Sequence, residues 1–193
     1  MRTRHAIGTR ERIVRATSRL MQRQGYEATG LKEISREAEA TLGSLYHFFP
    51  GGKKELAAEA VRHGDVEFAE FLRAAFDRVD DPAEAVVVCA RELASGLRES
   101  GWVEGCPITT AALESAGRVP EVQKAAAAAF ENWRSIVRVK LRESGFGEDD
   151  AEELAHTVVN TLEGAEMAAQ VAQDDAPLHI AGRHLARLIA SYR

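Results

Sequence analysis

The chain has 193 residues, of which 45% are hydrophobic and 28% charged, and it carries a net charge of −5 at pH 7. These proportions are ordinary for a soluble globular protein of one or two small domains. No apolar run approaches the ~20 residues of a membrane span. No apolar stretch follows the basic N-terminal residues to make a secretory signal, and Cys89 and Cys106 make no disulfide framework. A cytoplasmic location without a membrane partner is the expectation. The charge is unevenly divided: residues 1–55 hold eleven Lys/Arg against six Glu, and the remaining residues fourteen against twenty-four Asp/Glu. A basic head on an acidic body suits a chain of which only one end meets phosphate.

Helical periodicity runs through almost every segment, without sustained β alternation. A first helix is expected from about Thr9 to Gln24, with Ile13, Ala16, Thr17, Leu20 and Met21 as its apolar stripe and Gly25 as its stop. Leu31, Ile34 and Ala38 define a short second helix. Thr41 sits where an N-cap belongs, and Leu45 and Phe49 give the third helix a buried edge. Pro50-Gly51-Gly52 breaks the chain before a long fourth helix, Lys53 to Asp77, expected to join head and body rigidly. Asp81-Pro82 opens a largely buried helix that ends near Gly101. A short helix to about Ser115, a longer one from Pro120 to about Ser144, another over 148–172, and a last one after Pro177 complete the chain. The domains are therefore placed at 1–52 and 53–193, in an all-α fold.

Helices two and three read as a helix-turn-helix. With Leu45 and Phe49 turned inward, Thr41, Leu42, Gly43, Ser44, Tyr46 and His47 remain largely outside. A small polar face with one phenol suits base edges and phosphates in a major groove. Gly43 permits close approach, Thr41 and Ser44 offer short hydroxyls, and Tyr46 can reach a phosphate. Leu42 can touch a thymine methyl. Lys53, at a helix start, combines its charge with free N–H groups and the helix dipole. Thr29 and Lys32, around the start of helix two, complete the candidate DNA contacts. Arginines near the N-terminus could reach a minor groove, and a frayed tail is the equal alternative.

The residues Gly25-Tyr26, Ala28-Thr29, Ile34, Gly43-Ser44-Leu45-Tyr46, Phe49 and Lys53-Lys54-Glu55-Leu56 closely resemble the tetracycline-repressor (TetR) family. FPGGKKEL after the third helix and GCPITTAALES at 105–115 look like its LmrA/YxaF-type subgroup. The resemblance implies a dimeric, ligand-released regulator on a double-stranded DNA operator. Two residues depart from the family pattern. Glu39 stands where the turn usually has Gly, a left-handed position at which a side chain costs about 1 kcal/mol. Phe48 replaces a frequent His.

In the body, a cavity for a small-molecule effector is expected among Phe68, Phe71, Trp102, Leu113, Phe130, Trp133, Val137 and Val159, with Glu163 as its polar group and Met167 one turn further on. Small and branched residues on the last two long helices, Leu154, Val158, Leu162, Ala165, Ala169, Ile180, Leu185 and Leu188, suggest a four-helix homodimer interface. No Gly-rich phosphate loop, G-x-S-x-G or H-E-x-x-H occurs, and the six histidines form no i, i+4 pair, so neither catalysis, a metal nor a cofactor is expected. The alternative function is a helical small-molecule-binding protein or enzyme without operator binding.

Overall fold

The computed structural model describes residues 8–193, and among them every regular element is an α-helix. In chain order these are α1 (Thr9–Ala28), α2 (Leu31–Glu37), α3 (Leu42–Phe48), α4 (Lys53–Asp77), α5 (Pro82–Glu99), α6 (Thr109–Ser115), α7 (Pro120–Glu143), α8 (Glu148–Ala172) and α9 (Ala176–Ser191). The boundaries follow local chemistry. Thr41 accepts the Ser44 N–H at 3.0 Å and starts α3, and Asp81 accepts the Ala83 N–H ahead of Pro82 to start α5. Gly25 breaks α1 one turn before its end, with φ 79 and ψ 178.

The chain divides into two compact units, Met1–Gly64 with Pro107–Ala127, and Asp65–Cys106 with Ala128–Arg193. Packing therefore does not follow the sequence division at residue 52. The first half of α4 and the segment carrying α6 join the head, because α6 lies against α1.

In the first unit, Ile13, Val14 and Ala16 of α1 meet Ile34, Ala38, Leu45, Phe49 and Leu56 in a closed core. Burying each of the larger side chains contributes roughly 1.5–3 kcal/mol. The turn between α2 and α3 is tied down by Arg12, whose Nε donates to the Ala38 carbonyl at 3.1 Å and Nη2 to that of Glu39 at 3.3 Å. Glu39 has φ 48, the left-handed backbone expected there. In the second unit, α5 packs on α9 and α8. Gly182 allows the closest approach: a Cβ there would stand 2.9 Å from the Ala90 Cβ.

Candidate nucleic-acid interface

Leu45 is wholly buried, Thr41, Gly43, Tyr46 and His47 are exposed, and Leu42 and Ser44 are half-buried. One face of α3 is thus anchored while the other carries small polar groups. Tyr46 is 52% exposed, and its ring borders the Gly51-Gly52 turn. That turn is held by the Gly51 N–H donating to Glu55 Oε2 at 2.7 Å, at the start of α4. A surface of this kind can hydrogen-bond phosphates and approach base edges closely.

Lys53 is more engaged than its sequence position suggests. Its Nζ donates to the Glu27 carbonyl at 3.1 Å and lies 4.4 Å above the Tyr26 ring centroid, which leaves two ammonium N–H groups for an anion. Lys32 and Lys54 are exposed. Thr29 is a correction: it is 1% exposed, and its hydroxyl donates to the Gly25 carbonyl at 2.7 Å. The hydroxyl satisfies a carbonyl freed by the α1 break and is enclosed within the protein. The arginines at positions 2 and 4 lie outside the described residues.

The end of α1 is clasped by α6, within the same unit. Glu114 Oε2 accepts the Glu27 N–H at 2.9 Å, and a Cβ at Gly25 would stand 2.4 Å from Glu114 Oε1. Arg118 adds an ion pair to Glu27 at 3.1 Å and donates to the Glu114 carbonyl. The positive φ favours glycine at position 25, and the Glu114 carboxylate occupies the space where a Cβ would stand. The motif GCPITTAALES carried this signal, since it places a glutamate on a short helix after a Pro.

In the second unit the structure brings together four of the expected aromatic residues. Phe68 stacks 4.3 Å from Trp133 and 5.4 Å from Phe71, and Phe130 meets Trp133 edge-on at 5.1 Å. Val137 and Val159 are buried, whereas Trp102 and Glu163 are half-buried. Two expectations fail. Leu113 is 69% exposed and belongs to the first unit, and Met167 is 55% exposed. Helical phase explains Met167: the inward line of α8 runs through Val159, Leu162, Glu166 and Ala169, at steps of three, four and three, whereas the expected line of Val159, Glu163 and Met167 advanced by four each time and drifted outward. Glu166 was missed for the same reason. It is 5% exposed, and burial first, then the charge of Glu163, push its carboxyl up to about 8. On α5, burial and the nearby Glu166 push the Cys89 thiol up to about 12, an inert, protonated state. A separate groove of about 310 Å³ between α4 and α7, lined by Arg73, Phe76, Ile136 and Lys140 among others, contains none of the expected effector residues.

The expected dimer residues are corrected in the same way. Leu154, Val158, Leu162, Ala169 and Leu185 are buried within the protomer, where they pack α8 and α9 on each other and on α5. Ala165 and Leu188 are half-buried, and Ile180 is 47% exposed. The open face of α8 instead carries Asn160, Gly164, Met167, Ala168 and Val171, the last 83% exposed. Beside Ile180, α9 exposes Arg183, His184 and Arg187.

No helix among the described residues is long and apolar enough to cross a membrane. Residues 13–60 match the family of bacterial regulatory proteins of the tetR type, and residues 82–184 match the C-terminal domain of LmrA/YxaF-like transcriptional regulators. The HTH-type transcriptional regulator YxaF of Bacillus subtilis (strain 168) is 34% identical over 181 residues, covering 94% of this chain and 95% of its own. LmrA of the same organism is 37% identical over 171 residues, covering 88% and 90%. Among solved structures, a TetR transcriptional regulator from Chloroflexus aurantiacus J-10-FL superposes with a TM-score of 0.78 at 26% identity, covering 94% of each chain. A regulatory protein TetR from Rhodobacter sphaeroides shares the fold, with a TM-score of 0.81 at 24% identity, covering 93% of this chain and 97% of that one. With its helix-turn-helix head and LmrA/YxaF-like body, the chain belongs to the TetR family of transcriptional regulators.

Proposed function

We propose that this regulator is a homodimeric repressor that holds a roughly palindromic operator and is released from it by a small organic effector. The observation that carries the reading is α3. Its Leu45 edge is locked into the core, while Thr41, Gly43, Ser44, Tyr46 and His47 form an open edge fit for a major groove. The phosphate-facing groups are Tyr46, Lys32 and Lys53, the last keeping two N–H donors beyond its bond to Glu27.

Dimerisation supplies the second recognition helix that a palindrome requires. The face offered for it is Gly164, Met167, Ala168 and Val171 of α8 with Ile180 of α9. These are small or apolar side chains left open to water, where two helix pairs can pack closely.

Release needs a connection between body and head, and α6 offers one beside the long α4. Gly105 and Cys106 end one stretch of the second unit, and Pro107 continues directly into α6, whose Glu114 clasps α1 at Gly25 and Glu27. A shift of the 105–107 segment reorients the helix that holds α1, and with it the recognition helix. By linkage, an effector that weakens operator binding is itself bound less tightly on operator, by the same factor. The test is titration of purified protein onto operator fragments chosen from random DNA, with and without effector. Binding that is indifferent to sequence, or an effector affinity unchanged by operator, removes the proposal.

A further inference from the structure

The second unit contains an unmet chemical demand. Glu166 Oε2 is buried without a hydrogen-bond partner, on a side chain 5% exposed. A buried polar atom left so costs roughly 1–3 kcal/mol, and packing alone is served better by Leu or Met at that position. Glu163, Glu166 and Gln170, at three- and four-residue spacing, follow one face of α8. The buried Cys89 of α5 lies close enough to feel the Glu166 charge, and Glu163 acts on Glu166 as a like charge. Gln170 is pressed against Gly105, where a Cβ would stand 2.4 Å from its Oε1. The Glu166 face of α8 therefore reaches the segment that leads into α6.

We propose that Glu166 is the recognition carboxylate for an organic cation, an ammonium group borne on an apolar or aromatic body. This rests on the effector-release reading above and names its ligand class. A neutral donor answers one lone pair of Glu166. An ammonium also offsets the repulsion from Glu163, one turn away, that Glu166 meets once it ionises. Without ligand the Glu166 carboxyl keeps its proton at neutral pH, which spares the fold a buried charge. On binding, the ammonium stabilises the ionised form and the proton leaves to solvent. An opposite charge at contact lowers a carboxyl pKa by ~1–3 units, enough to ionise this one at pH 7. The apolar body has a counterpart in the same unit, where Trp133 sits wholly buried between Phe68 and Phe130 with its indole N–H unpartnered.

The test compares 1-naphthylmethylamine with its neutral analogue 1-naphthylmethanol by titration calorimetry on the full chain at pH 7, without DNA. The amine binds at least tenfold more tightly, Glu166→Gln abolishes that preference, and Glu166→Asp, which retains a carboxyl, keeps part of it. Thermal melts establish that both variants are folded. Equal affinity of the two probes, no binding of the amine, an undiminished preference in Glu166→Gln, or its loss in Glu166→Asp as well each overturns the proposal. If the amine binds through Glu166 but leaves operator complexes intact, the ligand class stands and operator release falls. If some other molecule releases operator equally from wild type and Glu166→Gln, release stands and this site falls.

Discussion

Replacing Glu166 with Gln is predicted to remove a pH dependence of stability that the folded structure builds in. The carboxyl is held near 8 in the folded chain and returns to about 4.5 when unfolded. Below the unfolded value both states carry the proton and the group contributes nothing. Between the two values the folded state keeps a proton that the unfolded chain has lost, so stability falls as pH rises, and it levels off above the folded value. Each full pH unit in that window is ~1.4 kcal/mol. Between pH 6 and pH 8, with the folded group half titrated at the upper end, the loss is about 2 kcal/mol. Urea unfolding of wild type and Glu166→Gln at both pH values measures it. Subtracting the two proteins cancels every contribution that does not come from position 166. The wild type should lose about 2 kcal/mol more than the variant on going to pH 8. An equal loss in both refutes the claim that Glu166 is buried and protonated.

Three further outcomes follow from the head, the clasp and the open face of α8. Lys53→Ala weakens binding to all DNA sequences and lowers the salt slope by about one unit, and Tyr46→Phe loses operator affinity with the fold intact; unchanged gel-shift midpoints in both remove these side chains from the phosphate contacts. Glu114→Ala deletes the carboxylate that accepts the Glu27 N–H, so effector still binds by calorimetry but releases operator less well; wild-type release excludes α6 as the connection. A Cβ added at Gly164 meets nothing within 4 Å, so Gly164→Arg is expected to leave the fold intact and to dissociate the dimer in sedimentation at micromolar concentration, and a dimer that persists refutes the assigned face.

Most of the helical layout was legible because Gly and Pro mark its joints. Gly25, Pro50-Gly51-Gly52, Pro82, Pro120 and Gly147 each stand at a boundary or break. The outward face of α3 was legible too, since Leu45 and Phe49 leave one way for a seven-residue helix to sit. Periodicity failed where both faces of a helix are apolar or small. Along α8, Leu154, Val158 and Leu162 look no different in sequence from Met167 and Val171, yet the first set packs on α5 and α9 and the second faces water. The choice of Glu163 over Glu166 turned on the same ambiguity of phase, one residue being half-buried and the other wholly enclosed. Thr29 was illegible for another reason: its hydroxyl is consumed by a carbonyl freed at the Gly25 break. A non-helical residue inside a helix has no signature in hydrophobic spacing.

Sequence-specific operator binding is decided by selecting sites from random double-stranded DNA with the purified chain and then measuring affinity at fixed salt. A single, roughly two-fold symmetric operator is expected, bound at least ~10³ times more tightly than unrelated DNA. Its half-sites should be spaced to suit two α3 helices of a dimer. Similar affinity for all sequences, or no retained DNA at all, contradicts it.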